Sequence, residues 1–292
     1  MPRTLLAIVM ALAPMALADV ALCHALGLAF TNWERMVTVT LAIAALGAFY
    51  QWSGRSPRIA SMALWVVLWI TFSVLAAIMT YAAAAYAGTL RDGLFGALDH
   101  RLGFDWAAWF AFIGHHRNVK FVLALVYDSL MPQILLSISV FAYLGWDERN
   151  GELLLSVILA LIITTVFFAL FPALGPCTEV RWSCDLYNLY LPDLIGLREG
   201  VPSSFDLTKL KGIIAFPSFH AALAVLFSYA HRGWRGFAPV AGLNTVMLAS
   251  IPSEGGHYLV DVIAGLAVAA SAILTVRLSR PHQRPVMRAS PA

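Results

Sequence analysis

What this chain lacks most is charge. Of 292 residues only 12% are Asp, Glu, Lys or Arg, against 60% hydrophobic, and the mean hydropathy is +0.78. Length alone would allow one or two soluble domains, but so little charge excludes them, since a soluble surface carries about a quarter charged residues. The net charge of +3 is small, and no stretch interleaves basic with aromatic residues, so nucleic acid is not expected as a partner. Cysteine is scarce too. Three residues are too few for a disulfide scaffold, and their spacing is not that of a zinc site. No cluster has metal-ligand spacing, so neither a metal nor another cofactor is expected. There is no internal repeat and no low-complexity segment.

What remains is a succession of apolar runs, each near the ~20 residues that cross a bilayer. They cover residues 5–30, 37–52, 59–87, 119–145, 152–173, 213–230, 237–251 and 257–276. The expected fold is therefore all-α, a polytopic transmembrane bundle of about eight crossings. Pro239, Gly242 and Asn244 interrupt the seventh. The first run opens like a secretory leader, with Arg3, an apolar core and Ala16-Leu17-Ala18; its continuation to Phe30 favours an uncleaved helix. Residues 88–118 mix Asp92, Asp99 and Asp105 with Phe95, Trp106 and Trp109, an amphipathic pattern suited to the membrane interface and to a rim where a lipid tail enters. Asp128 falls about ten residues into the fourth run, where it is expected deep in the bilayer, bordering a site or bonded to a neighbouring helix.

Two stretches put a histidine at the start of an apolar helix. They are Phe216-Pro217-Ser218-Phe219-His220 and Ser250-Ile251-Pro252-Ser253-Glu254-Gly255-Gly256-His257-Tyr258-Leu259-Val260-Asp261. Pro217 suits a first helical turn, and Gly255 and Gly256 allow a sharp loop with close backbone approach to a ligand. Helix starts carry unpaired amides and partial positive charge, which favour phosphate. His257 and Asp261, four apart, share one helix face. An Asp so placed holds the imidazole in one tautomer, as in a catalytic triad. A lone histidine near a membrane-helix end reads as a polar anchor; two at marked helix starts, one with an Asp at i+4, read as catalytic.

One returning helix separates the motifs, so both face one side, together with residues 88–118 and the long polar connection 174–212. The opposite face carries Arg3, Arg55, Arg58, Arg149, Arg232, Arg235, Arg277 and three later arginines, against Asp147, Glu148 and Glu152. The positive-inside rule puts that face in the cytoplasm. The expected location is a bacterial inner membrane, with the histidines facing the periplasm.

The spacing Pro-Ser-x-His followed by Ser-x6-His-x3-Asp resembles the type-2 phosphatidic acid phosphatase superfamily. Phe-Pro-Ser-Phe-His and Gly-His-Tyr-Leu-Val-Asp-Val are most similar to its inositol phosphorylceramide synthase-like branch. The resemblance covers roughly residues 120–275 and implies His257 as nucleophile, Asp261 as its orienter, His220 as general acid and Ser218 as a phosphate contact. It divides the chain into N-terminal helices with the interfacial segment (1–118), a catalytic domain (119–276) with a six-helix core, and a basic tail (277–292). Two departures stand out. The superfamily's third motif has Arg where this chain has Ile251, and its first motif, a Lys with Arg-Pro seven residues on, has no clear counterpart.

The implied chemistry breaks a phosphoester of a lipid phosphate or phospholipid through a phosphohistidine, passing the phosphoryl group to water or to an alcohol. The rival reading is a non-catalytic lipid carrier or scramblase whose histidines bind anionic headgroups. The absent motif arginine predicts a replacement cation from 174–212, where Arg181, Arg198, Lys209 and Lys211 are available. Arg198 is favoured because it lies outside the helices and a guanidinium grips phosphate bidentately. Lys211, Gly255 and Gly256 complete the expected binding set. Cys177 and Cys184, in the same connection, are either paired or free.

Overall fold

A computed structural model describes residues 2–86, 88–178, 190–200 and 204–279, without the side chains of Pro2 and Arg3. In chain order come α1 (Pro2–Leu26), β1 (Ala29–Thr31), α2 (Trp33–Ser53), α3 (Pro57–Tyr86), α4 (Asp92–Arg101), α5 (Trp106–His115), α6 (Arg117–Asp128), α7 (Leu130–Tyr143) and α8 (Asp147–Leu170). A 3₁₀ turn at Pro176–Thr178 leads toward α9 (Leu191–Arg198), β2 (Ser204–Asp206), α10 (Phe219–Ala230), α11 (Phe237–Glu254) and α12 (Leu259–Leu278).

Helices α1, α2, α3, α8 and α12 are long and apolar enough to cross a membrane, and α6 with α7, bent by 42° at their join, are so only when taken together. The chain is thus an all-helical integral membrane protein. The other two of the eight expected crossings correspond to α10 and α11, with 12 and 18 residues. Twelve residues rise about 18 Å, against about 30 Å of hydrocarbon, so α10 by itself stops short of a full crossing. The unbroken fourth helix expected over 119–145 is corrected here: it breaks at Ser129. Pro132 has no N–H to bond the carbonyl of Asp128, four residues back, which is the usual cause of such a kink. Asp128 sits at that broken end and is exposed rather than deeply enclosed.

Two ends can be told apart by their polar ties. At one, Thr4 donates to Glu148 at 3.0 Å, Ser61 and Trp65 both donate to Asp147 at 2.6 Å, and Arg232 donates to both oxygens of Glu152 at 2.8–2.9 Å. The starts of α1, α3 and α8 and the end of α10 therefore meet there. At the other end β1 pairs in parallel with β2, Ala29 opposite Ser204 and Thr31 opposite Asp206. The loop after α1 and the 174–212 connection thus share a side, as crossing parity requires. That connection is less plain than its polar sequence: Leu191, Leu194 and Leu197 bury one face of α9 beside Tyr81 and Phe168.

Between the ends lies one apolar core, built from Trp65, Trp69, Phe72, Phe141, Leu154, Val157, Leu161 and Phe227 among others. Lipid tails are as apolar as these side chains, so helix contact in a bilayer depends on close fit, which small residues allow. The site is positioned by such a fit. At Gly265 of α12 a Cβ would lie 2.3 Å from the Ser218 carbonyl oxygen and 2.8 Å from Ala221 Cβ. A larger residue there would push the first histidine motif off α12.

Candidate active site

Ser218, fully buried, caps α10, its hydroxyl accepting from the Ala221 amide at 3.4 Å. Its own amide donates to the Asp261 carbonyl at 2.9 Å, joining the two motifs. Pro217 follows a cis peptide bond from Phe216 and precedes the cap, so it does not open the helix as its sequence suggests.

In the second motif, α11 runs to Glu254, and His257 lies in the short loop before α12. Gly256 has φ +64°, the left-handed region natural to glycine. Gly255 is needed for space instead: a Cβ there would lie 2.8 Å from His257 Cδ2, 2.9 Å from the Ile251 carbonyl oxygen and 3.0 Å from the Tyr127 hydroxyl. Gly175, with φ +92°, presses against the loop from outside, its missing Cβ 2.5 Å from the Gly256 carbonyl oxygen.

His257 is only 4% exposed, and its Nδ1 meets Asp261 Oδ2 at 3.3 Å. The expected i,i+4 pair is thus formed. The same oxygen accepts the Tyr258 amide at 2.9 Å, while Oδ1 has no hydrogen-bond partner among the described residues. Burial pushes the His257 pKa down to about 4, partly offset by the backbone of Ala215, so the imidazole is neutral at neutral pH. His220 lies within electrostatic reach of His257, and its ring stacks on Tyr127 with centroids 4.6 Å apart and planes 14° from parallel.

The helix starts differ from expectation in one respect. The amides of Leu259 and Val260 are not open to phosphate, because the Asp99 carboxylate accepts both, at 2.8 and 3.0 Å. Asp92 accepts from the Leu174 and Gly175 amides at 2.9–3.1 Å and from the Tyr258 hydroxyl at 3.4 Å. Both carboxylates come from α4, which sequence reasoning treated as rim. Asp92, Phe95 and Asp99 fall at i, i+3 and i+7, one helix face, and Phe95 stacks on Phe216 at 4.4 Å. That spacing was the available signal. Burial raises the Asp99 pKa, opposed by its two amide bonds.

Of the expected cations, Arg198 donates to the Gly88 carbonyl at 2.6 Å and lies in electrostatic reach of Asp92, at the margin of the histidine cluster. Lys211 is held through its amide by the Tyr81 hydroxyl at 3.2 Å. Lys209 pairs with Asp206 at 3.7 Å, in the exposed β2 turn. Arg181 lies outside the described residues. Ile251, in the place of the motif arginine, is fully buried against Ala221 and Val262 with Tyr127 beside it. Cys177 is disulfide-bonded and Cys23 is free; Cys184 lies outside the described residues.

The sequence model of one family, described as the PAP2 superfamily, matches residues 94–275. That span begins inside α4 and includes both histidine motifs. No curated protein and no solved structure matches the chain significantly.

Proposed function

The chain belongs to the PAP2 superfamily, all-helical membrane phosphoesterases, and from that premise we propose a membrane-embedded lipid phosphatase or phosphotransferase working through a phosphohistidine. The observation that carries the reading is the buried, neutral His257 held by Asp261 beside a second histidine. With Nδ1 held, Nε2 attacks phosphorus in line. The bond to the leaving oxygen breaks with its electron pair, and His220, charged in the field of the bound phosphate, gives that oxygen its proton. In the second step neutral His220 takes the proton of water or an alcohol. The new oxygen bonds to phosphorus and the electron pair of the P–N bond returns to His257. Asp261 stabilises the positive charge on His257 while it is phosphorylated.

In this reading Ser218 and the Gly255–Gly256 loop contact the phosphate, and Arg198 or Lys211 supplies positive charge from the margin of the site. The substrate is a lipid phosphate or phospholipid. Transfer to an alcohol, as in the inositol phosphorylceramide synthase-like branch, is the finer form of the proposal; transfer to water is the simpler one. The disulfide at Cys177 on the histidine side and the arginines at the other end support a site facing the periplasm, since disulfides persist in oxidising compartments. Family membership leaves the non-catalytic carrier without support.

The test is purified protein against a panel of lipid phosphates and phosphodiesters, with free phosphate and new phospholipid followed separately. Turnover with an acid-labile label on His257 is the expected result. Absence of turnover and label across the panel would overturn the reading.

A further inference from the structure

Among the described residues, the histidine cluster has positive charge only at its margin, at Arg198. Asp261 bonds the second histidine, Asp92 and Asp99 lie within electrostatic reach of Asp261, Glu254 ends α11 three residues before His257, and the motif arginine is replaced by buried Ile251. A phosphoryl group held there needs a donor from elsewhere. Among the described residues three tyrosines reach the region. The Tyr190 hydroxyl donates to the Leu174 carbonyl at 3.1 Å and the Tyr258 hydroxyl to Asp92 at 3.4 Å. The Tyr127 hydroxyl makes no hydrogen bond among the described residues.

Its placement is specific. Tyr127 stands in the last turn of α6, just before the break at Ser129. Its ring lies flat on His220 and packs beside Ile251. Its hydroxyl lies 3.0 Å from the point where a Gly255 Cβ would be, and the His257 ring lies 2.8 Å from that same point. One side chain thus touches the proposed acid, the loop of the proposed nucleophile and the residue standing where a cation is expected.

We infer that Tyr127 is a further functional residue of this site, its ring orienting His220 and its hydroxyl donating to the phosphoryl oxygen between the two histidines. A phenol donates one directed hydrogen bond without adding a fixed charge, and such a donor gains strength where water is excluded. Ile251 completes the arrangement by backing the ring with an apolar wall. The inference rests on the phosphohistidine reading above.

Two substitutions separate the two roles. Tyr127→Phe keeps the stack and removes the hydroxyl. It is expected to lower kcat/KM about 10–100-fold on a lipid phosphate and on an activated aryl phosphate alike. Tyr127→Leu removes the stack as well. It is expected to add a further loss of about tenfold or more on the lipid substrate only, whose basic leaving oxygen needs the proton from His220. A merely structural role would lower the amount of folded enzyme, read by thermal melting, without splitting the two substrates. Wild-type kcat/KM in Tyr127→Phe would overturn the hydroxyl's role. An unchanged lipid-to-aryl ratio between the two variants would overturn the ring's role. If wild-type protein forms no phosphohistidine, the proposed function itself falls, and that outcome is read before any variant is made.

Discussion

The two ends of the bundle solve one problem in opposite ways. Each must bury a carboxylate where water is scarce. At the arginine end Glu152 is met by the Arg232 guanidinium through two bonds of 2.8–2.9 Å, with the Tyr229 hydroxyl at 3.2 Å. At the histidine end Asp99 and Asp261 are met by backbone amides of the loop that carries His257. Both arrangements give the acid hydrogen bonds, although Asp261 Oδ1 has no partner among the described residues, and they leave different surroundings. The arginine end is a set of charge-paired ties among helix ends. The histidine end is a loop whose acids are met by backbone amides rather than by a guanidinium, and burial keeps His257 neutral. Helix caps fix geometry, and ion pairs fix the relative positions of helices.

The sharpest way to break this comparison is to remove a side chain from each end. His257→Ala is expected to lower turnover by about four orders of magnitude or more and to abolish the acid-labile label. Arg232→Ala is expected to leave turnover within about twofold. Comparable losses in both would mean that the two ends are one functional unit.

The His257–Asp261 bond comes next. Asp261→Asn keeps the shape but gives the imidazole a neutral partner, and a loss of about 10²–10⁴-fold in kcat is expected. Single-turnover measurement of label formation locates that loss in the first step. Label formation at the wild-type rate would show that Asp261 serves only as a cap.

Asp99→Asn against Glu152→Gln tests the caps against the ion pair. An Asn side chain accepts amide bonds more weakly and turns an N–H toward them. The loss of two charge-assisted bonds at a buried site is expected to cost roughly 2–4 kcal/mol and to reduce turnover about tenfold. In Glu152→Gln the guanidinium, whose side chain is 39% exposed, can turn to water and still lies 3.8 Å over the Tyr229 ring. That change is expected to cost about 1 kcal/mol and to leave turnover intact. Detergent-phase melting with parallel assays checks both.

The smallest effect is one of pH. Burial lowers the His257 pKa to about 4, so the neutral nucleophile persists from neutrality down to that value. Label formation is expected to fall about tenfold per pH unit below about 4. The unfolded chain protonates this histidine near its ordinary value first, so stability is expected to fall from about pH 6.5 down to about pH 4 and to change no further on this account. An acid limb of label formation near pH 6.5 would mean that His257 is well hydrated in the working enzyme.

Much of this was readable from the chain alone. Apolar runs gave the helices because each span needs about 20 residues with little charge. Their parity placed the histidines opposite the arginines, and the i,i+4 spacing of His257 and Asp261 gave their hydrogen bond, since local geometry follows from helical periodicity. Three things were decided only by tertiary structure. The amides of Leu259 and Val260 look like a phosphate site from sequence, yet Asp99 fills it from 160 residues away in the chain. Tyr127 meets His220 where α6 packs beside α11 and the loop after it. The absent motif arginine could be read as a gap, but whether loop or helix answers it depends on which side chains the fold brings to that gap. Periodicity governs contacts within a turn or two. Contacts between distant segments depend on how helices pack, which in this bilayer protein turns on small residues such as Gly265 that carry no chemical signal of their own.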